Sequence, residues 1–145
     1  MGNLTDIRDE IAPGLLQTLE QVPFVITYVF AAKDFGAGDF IEILQTPADF
    51  RGKVRDITLY DVTETFNAVT TAAFVEVGTT ADPNAYVTGA SLGLLAATAS
   101  DSVVLTDGVT LIIPEGAAVE VAGTAPTGGV PAGIATVAVT IQYFK

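Results

Sequence analysis

The stretch Ile134-Ala135-Thr136-Val137-Ala138-Val139-Thr140-Ile141-Gln142-Tyr143-Phe144 decides the fold class. Val137, Val139, Ile141 and Tyr143 share one parity, and Ala138, Thr140 and Gln142 share the other. Strict alternation of this kind is the mark of a β-strand with one face in a core. Val119 and Val121 repeat the pattern against Glu120. Between these segments and Val22 the chain keeps the same character. Val, Thr and Ile make up 42 of the 125 residues from Gln21 to Lys145, and such residues suit a pleated, half-buried surface.

Turn clusters punctuate this chain at short intervals: Gly36-Ala37-Gly38-Asp39, Gly78-Thr79-Thr80-Ala81-Asp82-Pro83-Asn84, Asp107-Gly108, Pro114-Glu115-Gly116 and Pro126-Thr127-Gly128-Gly129. Asp107-Gly108 stands between Val103-Val104-Leu105 and Leu111-Ile112-Ile113, which reads as a hairpin. From Val54 to Phe66 the apolar phase changes. Ile57 and Leu59 lie on one parity, Tyr60, Val62 and Phe66 on the other, so a bulge or bend is expected mid-strand. The predicted strands are 22–31, 39–45, 53–66, 71–77, 86–88, 103–106, 109–113 with 117–122, and 133–144, while Ser91 to Ala99 reads equally as strand or helical turn. No long helical pattern alternates with these strands. The architecture expected is all-β, an antiparallel β-sandwich of jelly-roll kind, over residues 21–145.

Residues 1–20 differ. Leu4, Ile7, Ile11, Leu15 and Leu19 recur at helical spacing, with Asn3 as a candidate cap, but Pro13-Gly14 interrupts the stripe. This segment is expected to be a short helix or a broken N-terminal arm. A stripe this short is not stable alone, so its ordering needs packing on its own domain or on a partner.

The composition narrows function. With 145 residues the chain can bury a real core without staples. It has no Cys, no His and no Trp. Disulfides, zinc sites with nitrogen and sulfur ligands, and nucleophile-and-base arrangements built on His or Cys are therefore excluded. The net charge of −11 disfavours nucleic acid, whose binding depends on Lys and Arg. No apolar run reaches the length of a membrane span, and the start carries no signal-peptide pattern, so a protein made and kept in the cytoplasm, or released by lysis, is expected. What remains for chemistry is carboxylates. Asp56, Asp61 and Glu64 fall on one predicted strand, as a glycosidase pair could, but solvated strand positions are the simpler reading. Asp6, Asp9 and Glu10 cluster without a calcium-loop spacing. No enzymatic activity, cofactor or metal is expected.

One asymmetry points to binding. Lys33, Arg51, Lys53 and Arg55 are four of the six basic residues, and Phe24, Tyr28, Phe30, Phe35, Phe40 and Phe50 fall nearby in sequence. On an acidic protein such a group is a candidate docking face. The mean hydropathy of +0.51 further suggests apolar surface covered by partners, hence a homo-oligomer.

The segments Gly52-Lys53-Val54-Arg55-Asp56-Ile57, Thr63-Glu64-Thr65-Phe66 and Val75-Glu76-Val77-Gly78-Thr79-Thr80-Ala81-Asp82-Pro83-Asn84-Ala85-Tyr86 resemble tailed-phage virion structural proteins, in particular small jelly-roll cement or decoration proteins of icosahedral capsids. The resemblance spans residues 50–145. It implies a bacteriophage capsid decoration protein on the virion surface, made in the host cytoplasm. It implies a homotrimer that binds the major capsid protein and bridges capsomers through an N-terminal arm, here residues 1–20. The interface candidates are then Leu4, Ile7, Ile11, Leu15, Leu19, Lys33, Arg51, Lys53 and Arg55. A head-fibre, tail or baseplate protein is the alternative of the same class. A carbohydrate-binding module is a further alternative, against which the missing Trp counts.

Overall fold

The structure is a computed structural model that describes residues 23–67, 70–87, 92–94, 97–102 and 112–145. The described residues contain no helix. Their strands are β1 (Phe24–Asp34), β2 (Phe40–Gln45), β3 (Arg51–Asn67), β4 (Phe74–Gly78), β5 (Asp101–Ser102), β6 (Ala118–Thr124) and β7 (Ala132–Phe144). Sheet A has the order β1-β7-β3-β5 and sheet B the order β2-β6-β4. All ladders are antiparallel. Every odd strand lies in sheet A and every even one in sheet B, so each link between successive strands crosses the sandwich. That is the wrapping of a jelly roll. An isolated bridge from Val87 to Val77 of β4 occupies the position of an eighth strand.

The strand that decided the fold class is central in its sheet, between β1 and β3. Val137, Val139, Ile141 and Tyr143 are fully buried, as the alternation required. They meet Val54, Ile57, Leu59, Val62 and Phe66 of β3 and the inner face of sheet B, formed by Leu44, Val75, Val77, Val119 and Val121. Burying each large apolar side chain contributes about 1.5–3 kcal/mol, and the two inner faces interdigitate to make the core of a sandwich.

The expected mid-strand shift in β3 is present. Against β7 the register slips between Val54 and Asp56 and again between Tyr60 and Glu64. Ile57 and Leu59 then point inward on odd positions, and Val62 and Phe66 on even ones. Asp61, in the second slip, has φ 49°. Strand β1 is bulged between Phe30 and Lys33, where Ala32 has φ 51°.

Several expected strands are shorter than their sequence suggested or lie elsewhere. Of segment 86–88, Val87 forms an isolated bridge, and position 88 lies outside the described residues. Of 109–113, Ile113 exchanges two backbone hydrogen bonds with Gly52, at 2.8 and 2.9 Å. Segment 103–106, the Asp107-Gly108 turn, and residues 1–20 lie outside the described residues. The short β5 was not expected, because its pairing to Thr58 and Leu59 leaves no alternation in a two-residue strand. In the ambiguous stretch, Leu92 and Leu94 are buried and belong to no strand. Leu92 N–H donates to Ala73 O and Leu94 O accepts from Phe66 N–H.

Under Phe24 and Phe50 lies a pair of tyrosines. The Tyr28 and Tyr143 hydroxyls are 2.5 Å apart, and Tyr143 is fully buried. Burial, then the hydrogen bond and charge of Tyr28, hold the Tyr143 hydroxyl far above its ordinary value; burial raises Tyr86 as well. In the unfolded chain a tyrosine loses its proton near pH 10, about its usual pKa. Above that pH the native state binds more protons than the unfolded one, so stability falls as pH rises, by up to about 1.4 kcal/mol per unit for each such group. Urea midpoints measured between pH 8 and pH 11.5 should decline above roughly pH 10, and Tyr143→Phe should flatten that decline while lowering stability at neutral pH. Parallel alkaline losses in the two proteins would contradict the assignment to Tyr143.

Candidate interaction surface

Cross-strand partners in a ladder point to the same side of their sheet, so the registers define both outer faces. On sheet A the outer face carries Val25, Thr27 and Val29 of β1 and their partners Gln142, Thr140 and Ala138 of β7. Opposite these on β3 stand Lys53, Asp56 and Thr58, with Arg51 opposite Phe144. Arg55 is the extra residue in the first slip of β3. It is exposed and reaches the same face, its Nε donating to Gln142 Oε1 at 2.5 Å.

Arg51, Lys53 and Arg55 therefore form one row on β3. The Arg51 guanidinium lies 5.1 Å from the Phe144 ring centroid, and its Nη2 donates to Lys145 O at 3.2 Å. Lys145 Nζ lies 5.3 Å from the centroid of Phe50, which meets Phe24 edge-on at 5.0 Å. Aromatic stacking of this kind holds cationic side chains in place at a surface. Among these rows Asp56 is the acidic residue, accepting from Thr58 Oγ1 at 2.6 Å, whereas the row at the other end of the face sets Asp34 of β1 and Glu64 of β3 on either side of Ile134.

Lys33 does not join this row, although its position in the sequence grouped it there. The β1 bulge turns it toward sheet B, where it forms an ion pair with Glu42 of β2 and sits 5.6 Å from the Phe40 centroid. The pair joins β1 to β2, the two strands at the same edge of the sandwich. The aromatics divide as well. Phe24 and Phe50 border the basic row, whereas Phe35 and Phe40 pack together at the other end. Leu4, Ile7, Ile11, Leu15 and Leu19 lie outside the described residues.

The outer face of sheet B has the opposite character. It carries Ile41 and Ile43 of β2, Ala122 and Glu120 of β6, and Glu76 and Gly78 of β4 in matched rows. Glu120 is nearly covered, at 8% exposure, because the loop after β4 brings Thr80 Oγ1 to its Oε1 at 2.6 Å. No basic residue stands in these rows. Both faces leave large aliphatics open at the shared edge: Val25 is 58% and Val29 52% exposed, Ile41 60% and Ile43 58%. The sequence carried a signal for this. In β1 Phe24, Ile26, Tyr28 and Phe30 already fill the inner parity, so Val25 and Val29 are surplus to one core.

Two of the three carboxylates weighed for catalysis, Asp56 and Glu64, have hydrogen-bond partners, and Asp61 stands exposed in the second slip of β3. Asp56 is held by Thr58, and Glu64 Oε2 accepts from the Gly133 N–H at 3.1 Å. Among the described residues no group of three or more acidic side chains gathers as a cation site. Cations thus gather at one end of the outer face of sheet A, Glu76 stands on the outer face of sheet B, and exposed aliphatics lie beside both. No protein-family model, curated protein or solved structure matches the chain.

Proposed function

We propose that this chain is a non-enzymatic structural protein of a tailed-phage virion, binding and stabilising the capsid shell as a cement or decoration protein. The observation that carries the reading is the pair of exposed aliphatic rows, Val25 with Val29 and Ile41 with Ile43, on the two strands at one edge of a jelly roll. Apolar side chains grouped beside strand edges favour assembly over an independent existence. The resemblance carried by Gly52–Ile57, Thr63–Phe66 and Val75–Tyr86 supports a capsid as the assembly. A cement protein needs binding energy and no chemistry, and repetition of one contact over a shell multiplies its effect.

In this reading residues 1–20, with Leu4, Ile7, Ile11, Leu15 and Leu19, supply the anchor to the major capsid protein, and the protein works as a homotrimer. The test uses empty shells assembled from the major capsid protein of the same genome. The full chain should co-sediment with them saturably and raise their resistance to heat. A chain lacking residues 1–20 should keep its strand-rich circular dichroism and bind at least about tenfold more weakly, a difference of about 1.4 kcal/mol. Failure of the full chain to bind such shells overturns the reading. Equal binding by the truncated chain removes the anchor from residues 1–20.

A further inference from the structure

We infer that the two outer faces are the two halves of one head-to-tail contact between copies of this chain, with sheet A of one copy receiving sheet B of the next. The inference stands apart from the capsid reading, since it needs only the charge and exposure of the two faces.

Three features carry it. The first is charge. Arg51, Lys53 and Arg55 against Asp56 make one end of face A net positive, with Asp34 and Glu64 at its other end, whereas Glu76 stands on face B among rows that hold no basic residue. Two copies of that basic end brought together would set like charges against each other. Face A on face B sets opposite charges together.

The second feature is spacing. Across sheet A one row runs Val25, Gln142, Lys53. Across sheet B one row runs Ile41, Ala122, Glu76. In each, the exposed aliphatic is on the edge strand and the charged residue is two strands in, about 10 Å away at the usual strand separation. When Val25 of one copy covers Ile41 of the next, Lys53 therefore comes over Glu76. The same overlay sets Val25 on Ile41, both more than half exposed, and apolar burial drives association.

The third feature is placement. The Lys33–Glu42 ion pair holds β1 over β2, so both aliphatic rows border the same edge. A head-to-tail contact closes into a ring where the rotation between successive copies closes, and otherwise runs on as an open stack.

Reversing the charges tests the contact. Sedimentation velocity on the full chain should show self-association that weakens with added salt. Lys53→Glu and Glu76→Lys should each raise the dissociation constant about tenfold or more, and the chain carrying both should return to within about threefold of the original. Circular dichroism checks that each variant keeps its strands. Should either reversal unfold the chain, Ile43→Asp, at an exposed position on face B, takes its place and must also dissociate the assembly. The inference is overturned by a full chain that stays monomeric at every concentration, by single reversals that associate as the original does, or by a double reversal that stays dissociated.

Discussion

Phe35→Ala should lower the free energy of unfolding by about 3–5 kcal/mol, the usual range for emptying a buried phenylalanine site. Phe35 is fully buried. Its ring centroid lies 5.0 Å from that of Phe40 on β2 and 5.0 Å from that of Phe66 on β3. It follows β1 directly, with its N–H donating to Gly133 O at 2.8 Å. One ring thus fills the space between the sheets at the end where the Lys33–Glu42 pair also joins them. Neither neighbour can collapse into the vacancy without breaking its own contacts, because Phe40 and Phe66 belong to opposite sheets. Urea titration should show the midpoint falling with little change in slope, the sign of lost stability without a change in the unfolded state. Against a total stability of about 5–15 kcal/mol for a domain, the variant stands near the edge of folding. A loss below about 1 kcal/mol would mean that the site repacks and that Phe35 does not hold the sheets together.

Gly78→Ala should be comparably damaging for a different reason. Gly78 is buried at the end of β4, opposite Glu120. A Cβ there would stand 2.2 Å from Asp82 O, 2.3 Å from Pro83 C and 2.4 Å from Pro83 O. These are backbone atoms, so no side-chain rotation relieves the conflict. The loop must move as a whole, yet it is fastened by Thr79 N–H to Asp82 O at 2.8 Å and by Val87 N–H and Tyr86 N–H to Val77 O. Displacing it also withdraws Thr80 from Glu120, leaving a nearly covered carboxylate without the hydroxyl that faces it, at a cost of about 1–3 kcal/mol. Together with overpacking, which costs about 1–3 kcal/mol, the expected loss is several kcal/mol. Chemical denaturation of Gly78→Ala beside Gly116→Ala makes the comparison sharp. Gly116 has no atom within 4 Å of its added Cβ and φ 61°, so only backbone strain acts there, of about 1–2 kcal/mol. Gly78→Ala losing no more than Gly116→Ala would show that the loop yields easily.

The class of the fold was legible because alternation is a local property. A strand between two others must place every second side chain in the core, and β7 does so from Ala135 to Tyr143. The slips in β3 were legible for the same reason: a change of parity among Ile57, Leu59, Val62 and Phe66 has no other simple cause than extra residues in the strand. The surplus of apolar residues in β1 can likewise be counted from the sequence alone. Residues whose roles depend on neighbours far along the chain were not legible. Lys33 stands close in sequence to Arg51, Lys53 and Arg55, but a bulge sends it to Glu42 across the sandwich. Glu120 alternates like an exposed residue, yet a loop forty positions away covers it. The two-residue β5 has too few positions to show a period. The placing of a basic end on the outer face of sheet A and of Glu76 on that of sheet B comes from sheet order, which brings β3 and β7 beside β1 and β4 and β6 beside β2. Period and composition fix which side of its own strand a residue takes, because that depends on backbone geometry alone. Which strands become neighbours is settled by the joint burial of all inner faces at once, and the surface that results exists only in the folded chain.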